Sequence, residues 1–236
     1  MGTIRLSRTV YPVTVLGFGR RLGIWLQGCP LACPGCMSRD TWDPLAGRDV
    51  QIEDLVGRWE AALRDGADGL TVSGGEPLTQ PEALGELLSR VDEARRRLAG
   101  TPADVLVYTG YEPDELSREQ QAALAHADAV MTGRYDVTLP TEQIWRGSDN
   151  QRMWLRTALG RDRYGDLADA VNGQPAMQAH LEEGQVLLIG IPRRGDLARL
   201  ERGLRATGVP VAGVSWRPPV DDGEPPSDSG QAASVA

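Results

Sequence analysis

From Ile52 to Leu63 the apolar positions Ile52, Leu55, Val56, Trp59 and Leu63 fall at i, i+3, i+4, i+7 and i+11. That spacing predicts a helix over 52–64 with one buried stripe. Leu84, Leu87, Leu88, Val91 and Leu98 make the stripe of a second helix, and Thr79 with Glu82 three residues on predicts a capping box at its start. A third helix is expected over 113–125, opened by Pro113 and acidic residues. Between these segments the chain is short-run apolar. Residues 3–8 and 21–27 read as strands joined by a turn around Gly17 and Gly19, and 69–73, 104–109 and 128–132 read as buried strands. The alternation predicts an α/β fold with a mainly parallel sheet. Right-handed crossovers then gather the strand C-terminal ends on one edge, where open parallel sheets bind ligands. Gly74-Gly75-Glu76 and Thr109-Gly110-Tyr111 both fall at such ends.

After residue 133 the pattern weakens. A long loop is expected to Gln151, then strands over 153–157 and 185–191, a helix near 195–206 and a last strand near 211–216. This divides the chain into a core, 1–157, a C-terminal α/β extension, 158–216, and a tail, 217–236. The extension is pictured as one more βαβ unit on the sheet edge. The tail, rich in Pro, acid and Ser, is expected to be disordered. No stretch reaches the roughly 18 apolar residues of a membrane span. The N-terminal residues carry no basic-then-apolar signal, so the expectation is a cytoplasmic chain without a membrane partner.

Composition removes whole classes of chemistry. All 25 basic residues are arginine, which excludes a P-loop lysine, a Schiff-base lysine and a lysine general base. The net charge of −8 argues against a nucleic-acid partner. Only His126 and His180 are present, too few for a histidine-rich metal site, and a Ser-His-Asp triad would need one of them. His126 falls late in a predicted helix, where a dipole contact accounts for it. His180 reads as solvated, and Trp25, Trp59 and Trp154 as core.

The three cysteines lie within eight residues, Cys29-Pro-Leu-Ala-Cys33-Pro-Gly-Cys36. An odd number cannot pair fully within one chain, and the close spacing suits metal ligation better than a disulfide framework. A [4Fe–4S] cube normally takes four cysteines, so three would leave one iron open to an external ligand. A zinc site completed by His, Asp or water, a redox-sensing thiol cluster, an electron-transfer cluster and plain structural cysteines also fit this spacing.

C-x3-C-x2-C after an early strand, with Gly74-Gly75-Glu76-Pro77 after a following strand, resembles the radical S-adenosylmethionine (SAM) superfamily. The chain is most similar to its glycyl-radical activating branch, that of anaerobic ribonucleotide reductase. The shared segments are Gln27-Gly28-Cys29-Pro30, Cys33-Pro34-Gly35-Cys36, Trp42, Ser73-Gly74-Gly75-Glu76-Pro77, Thr109-Gly110-Tyr111, Gly133-Arg134 and Arg146-Gly147-Ser148-x-Asn150-Gln151-Arg152. They run in order over 20–152. The resemblance implies a partial (β/α) barrel, a [4Fe–4S] cluster on Cys29, Cys33 and Cys36, and SAM on the fourth iron. Reductive cleavage of SAM to a 5′-deoxyadenosyl radical would follow, and a glycyl radical on a partner enzyme. Reduced flavodoxin or ferredoxin is the implied electron donor.

By the same resemblance Gly35 and Met37 line the adenine side. Ser73, Gly74, Gly75 and Glu76 meet the SAM amino group through backbone carbonyls or the Glu76 carboxylate. Thr109 is a further SAM contact, and no catalytic residue is expected beyond the cluster ligands. Arg134, Arg146, Asn150 and Arg152 read either as surface pairs or as contacts to substrate or to the SAM carboxylate. Trp42 suits core packing and cluster shielding equally. Two features depart from the branch. Met37-Ser38 stands where Tyr and Asn are usual, and the extension lies outside the resemblance. Modification of a peptide or small molecule is therefore the alternative within the same chemistry. A non-catalytic iron–sulfur or zinc protein that binds a partner is the alternative from another class.

Overall fold

The computed structural model describes residues 2–98, 100, 102–171, 177–182, 185–209, 211 and 214–216. The expected disordered tail lies outside them. Seven strands form one sheet: β1 (Thr3–Val13), β2 (Arg21–Leu26), β3 (Arg48–Gln51), β4 (Gly69–Gly74), β5 (Asp104–Tyr108), β6 (Ala129–Thr132) and β7 (Arg152–Leu155). Their order is β3-β1-β2-β4-β5-β6-β7. The pairs β2–β4, β4–β5 and β5–β6 are parallel, while β1 pairs antiparallel with β2 and β3, and β7 with β6. The class is thus α/β with a parallel centre. The sheet is open, with β3 and β7 as its edges, rather than closed into a barrel.

The central strands are short apolar runs because both faces are covered. On one face, α1 (Ile52–Arg64) and α2 (Pro81–Leu98) bury their stripes against Leu22, Ile24, Leu70, Val72, Val105 and Val107. The bounds of α1 match the periodicity. The opposite face carries Val10, Val13, Leu16 and Trp25. β1 serves both faces because its register shifts between Leu6 and Arg8: Ile4 and Leu6 pack under the helices, Val10 on the other side.

Several local expectations yield to competing contacts. Thr79 does not cap α2. It ends a 3-10 turn, Pro77–Thr79, and its hydroxyl donates to the Glu76 carbonyl (2.7 Å), so α2 begins at Pro81. The helix expected over 113–125 contracts to α3 (Arg118–Ala123), because Ser117 and Gln120 form a capping box after a turn at Glu112–Glu115. His126 then lies beyond the helix, with Nδ1 3.1 Å from an Asp92 carboxylate oxygen.

The extension departs most. After α4 (Ala158–Tyr164) come β8 (Met177–Glu182) and β9 (Gln185–Gly190), an antiparallel hairpin forming its own two-stranded sheet, then α5 (Asp196–Ala206). Among the described residues no βαβ unit is added to the sheet edge. β9 instead lies on the open face, where Ile189 (2% exposed) packs with Val10, Val13, Leu16 and Trp25. Where a strand was expected near 211–216, Ser215 and Trp216 form a turn.

Candidate functional site

The C-terminal ends of β2 and β4 carry the two segments that the sequence marks for chemistry. Beyond Leu26 the chain enters the cysteine loop, which is tied at both limbs. Gly28 N–H donates to the Thr41 carbonyl (2.8 Å) and Cys29 N–H to the Trp42 carbonyl (3.0 Å). The Gln27 amide donates to the carbonyls of Asp40 (3.0 Å) and Asp43 (2.9 Å). From the β4 side, Gly75 N–H donates to the Leu26 carbonyl (2.9 Å) and Glu76 N–H to the Gly28 carbonyl (2.8 Å). The Gly-Gly-Glu turn is thus stitched to the residue that precedes Cys29.

Glycine is required here by contact. A Cβ on Gly75 would stand 2.2 Å from the Gly28 carbonyl oxygen, and one on Gly74 2.3 Å from the Leu26 carbonyl oxygen. Gly74 also has φ +114°. Both obstacles are backbone and cannot swing away. Gly75→Ala is therefore expected to cost about 1–3 kcal/mol in unfolding free energy. It should also lower the iron bound per chain after reconstitution, because the displaced Gly28 carries Cys29 with it. Denaturant unfolding and an iron assay check both outcomes.

All three cysteines are partly exposed on this loop. Burial pushes each thiol up from its ordinary value, and aimed donors work against it. The N–H groups of Leu31 and Ala32 face the Cys29 sulfur, that of Tyr135 the Cys33 sulfur, and that of Ser38 the Cys36 sulfur. The Trp42 indole N–H lies near Cys36 and pulls the same way. The Trp42 ring lies 4.8 Å from the Arg39 guanidinium. Each thiol is electrostatically coupled to another: Cys29 to Cys33, Cys33 to Cys36 and Cys36 to Cys29. Among the described residues no three His, Cys, Asp or Glu side chains converge tightly enough to hold one metal ion. A cube spreads its thiolates over separate irons and does not need that convergence. A donor set of three sulfurs on one loop fits an iron–sulfur cluster.

Glu76 is 1% exposed. Its Oε1 accepts from Leu78 N–H (2.9 Å) and the Thr109 hydroxyl (2.9 Å), and its Oε2 from Gly110 N–H (2.8 Å). Burial pushes the carboxyl up, while these three donors and Arg134 pull it down. The carboxylate therefore locks the end of β4 to the end of β5. The Thr109 hydroxyl is committed as well, since it also accepts from Tyr111 N–H (3.2 Å). Both residues hold the ligand edge in shape from beneath.

A cavity of about 220 Å³ opens beside the loop. Gly35, Cys36, Met37, Ser73 and Gly74 line it together, so five of the residues singled out by sequence share one space. Trp25, Tyr108, Tyr135 and Gln151 line it too, and so do Leu188–Pro192 of the extension. Among the described residues no Asp, Glu, Arg or His is in its wall. The sequence reading missed the Tyr135 and β9 contributions, and β9 carried no motif that could have marked it.

The arginine loop is placed elsewhere. Arg134 makes a two-bond contact with Glu115 (2.8 and 2.7 Å) and lies over the Tyr111 ring. Arg146 is buried and pairs with Asp169 (2.8 Å), while its neighbour Gln143 also accepts from it. Arg152 is exposed and bonds the Gln151 carbonyl (2.8 Å). Asn150 donates to the Arg134 carbonyl (2.8 Å), and Gln151 bridges Gly147 N–H (2.7 Å) and the Gly133 carbonyl (2.8 Å). The Arg-Gly-Ser-x-Asn-Gln-Arg segment is thus a clasp that shapes the loop over the site. Of its residues only Gly147 and Gln151 reach the cavity wall beside Cys36.

Residues 15–154 match the family described as a 4Fe-4S single cluster domain. The chain is 32% identical over 149 residues to the anaerobic ribonucleoside-triphosphate reductase-activating protein of Enterobacteria phage T4, which covers 63% of this chain and 92% of that protein. The proteins of the same name from Haemophilus influenzae and Escherichia coli K12 are 34% and 32% identical, each over 60% of this chain and 92% of their own length.

Proposed function

Since the chain belongs to the 4Fe-4S single cluster domain family, we propose that Cys29, Cys33 and Cys36 hold three irons of one [4Fe–4S] cluster and that SAM occupies the fourth. When bound and reduced, this pair supplies the electron and the scissile C–S bond that together yield a 5′-deoxyadenosyl radical. We propose a glycyl-radical enzyme, such as an anaerobic ribonucleoside-triphosphate reductase, as the target, because the relatives are named for activating that reductase. Reduced flavodoxin or ferredoxin is the proposed electron donor. A reducing, cytoplasmic setting follows from a cluster with an open iron, and none of the described helices is long and apolar enough to cross a membrane.

One observation carries the reading: a three-thiol loop bonded to a Gly-Gly-Glu strand end at Gly28, the residue before its first cysteine, and sharing a cavity with that strand end at its last. In that arrangement the protein's own residues act by positioning. Glu76 fixes the β4 edge against β5, and Gly74 and Gly75 let that edge pack directly on the backbone of Leu26 and Gly28, which leads into Cys29. The neutral cavity wall suits an adenosyl group, with Gly35 and Met37 on the adenine side. Backbone carbonyls of Ser73, Gly74 or Gly75, rather than the committed Glu76 carboxylate, are the better acceptors for the SAM amino group. The extension, which the relatives' length does not accommodate, favours a second target, a peptide or small molecule.

The test of the target adds SAM, reductant and the reconstituted protein to an anaerobic ribonucleoside-triphosphate reductase. A glycyl radical seen by electron paramagnetic resonance supports the first target, and SAM consumption without that radical favours the second. A smaller effect is expected at Trp42. Trp42→Phe keeps the aromatic ring and removes the indole N–H near the Cys36 sulfur. Its cluster content should stay unchanged while its reduction potential moves negative, as titration against a redox dye would show.

A further inference from the structure

The cavity beside Cys36 has walls of two origins. Leu16, Trp25, Gly35, Met37, Ser73 and Gly74 belong to the matched family domain, whereas Leu188–Pro192 lie beyond its last residue, 154. The relatives are 92% covered by about 60% of this chain, so they lack the length for a counterpart of this second wall.

The second wall is pinned rather than draped. Ile189 is buried among Val10, Val13, Leu16 and Trp25 on the open face of the sheet. Gln178 of β8 accepts from Thr14 N–H (3.0 Å) and donates to the Pro12 carbonyl (2.7 Å). Beyond α5 the chain returns to the cysteine loop, where the Ser215 hydroxyl donates to the Met37 carbonyl (3.2 Å). These three attachments fix the end of β9 opposite Cys36 and Ser73. A second cavity of about 630 Å³ continues outward past Tyr135, Gly147, Ile191 and Pro192, which line both spaces. Among the described residues the inner space is lined without Asp, Glu, Arg or His; it is partly open to solvent and adjoins the outer one.

We propose that Leu188, Ile191 and Pro192 are cofactor-contacting residues, a wall supplied by the C-terminal hairpin that covers the adenosyl group of SAM. This rests on the SAM reading above. In that position the hairpin narrows the solvent-facing side of the adenosyl space. Its lining fits a neutral nucleoside, since Leu188, Ile191 and Pro192 offer apolar surface and the wall carries no ionic side chain.

The experiment uses the full-length protein with its cluster reconstituted and left oxidised, so that SAM binds without turnover. Equilibrium dialysis with labelled SAM is run on wild type, Leu188→Ala, Ile191→Ala and, as a control, Leu181→Ala at the 78% exposed hairpin position. The two wall variants should weaken SAM binding about tenfold each, with cluster content and melting temperature held, and the control should match wild type. Amide exchange in the 186–191 segment should slow when SAM is added to wild type. Wild-type affinity in both wall variants, or exchange there that ignores SAM, would overturn the wall. A cluster-loaded wild type that binds no SAM would overturn the SAM reading and the wall with it.

Discussion

Arg21→Met is expected to lower the unfolding free energy by about 3–5 kcal/mol. Arg21 and Asp104 are both fully buried, and all five guanidinium N–H groups are used. Nε donates to the Thr71 hydroxyl (2.6 Å), and the two terminal nitrogens reach both Asp104 oxygens (2.9 and 2.8 Å) and the carbonyls of Phe18 (2.8 Å) and Leu70 (2.7 Å). The Tyr164 hydroxyl also donates to Asp104 (2.6 Å). Burial opposes the charge on Arg21, but Tyr164 and Asp104 outweigh it and the net direction of its pKa is up. Removing the guanidinium leaves the Asp104 charge buried with one remaining donor, which is the costly case. Replacing both, as Arg21→Met with Asp104→Leu, should recover much of the loss because no orphan charge remains. Denaturant unfolding of the two single variants and the double variant measures this coupling. Equal destabilisation by the single and double variants would show that the pair is not the cause. Because Tyr164 belongs to α4, the same network fastens the start of the extension beneath the sheet.

Cys33→Ala has the largest expected functional effect: loss of the iron–sulfur chromophore and of all SAM-dependent product. One missing thiolate of three leaves two irons without a protein ligand in a site that has no spare cysteine. The fold should persist, since Cys33 is only half-buried and its loop is held by Gln27, Thr41 and Trp42 rather than by the thiol. Unaltered far-ultraviolet circular dichroism with the visible absorption absent is the expected combination. A variant that retains a full complement of iron and sulfide would remove Cys33 from the ligand set.

The fold was most legible where local pattern and tertiary demand agree. The stripe from Ile52 to Leu63 gave α1 its bounds, because nothing at its ends competes. At Thr79 and Pro113 stronger local bonds won: the Glu76 turn claimed the threonine, and the Ser117–Gln120 box started α3 late. In the site, the cysteine spacing and Gly74-Gly75 were readable because each needs its residue type for a reason that acts locally. Glu76 and Thr109 were marked by position at a strand end, but their direction is set by partners more than 30 residues away. The hairpin wall depends on contacts between 178 and 14 and between 215 and 37, separations that no periodicity records.

The central claim is that three cysteines and a Gly-Gly-Glu strand end form a SAM-cleaving centre. Its most direct test is the anaerobically reconstituted, chemically reduced protein incubated with SAM and assayed for 5′-deoxyadenosine. The account predicts that wild type forms it and that Cys33→Ala does not. Absence of 5′-deoxyadenosine from cluster-loaded, reduced wild type, beside a working radical SAM enzyme in the same buffer, would contradict it.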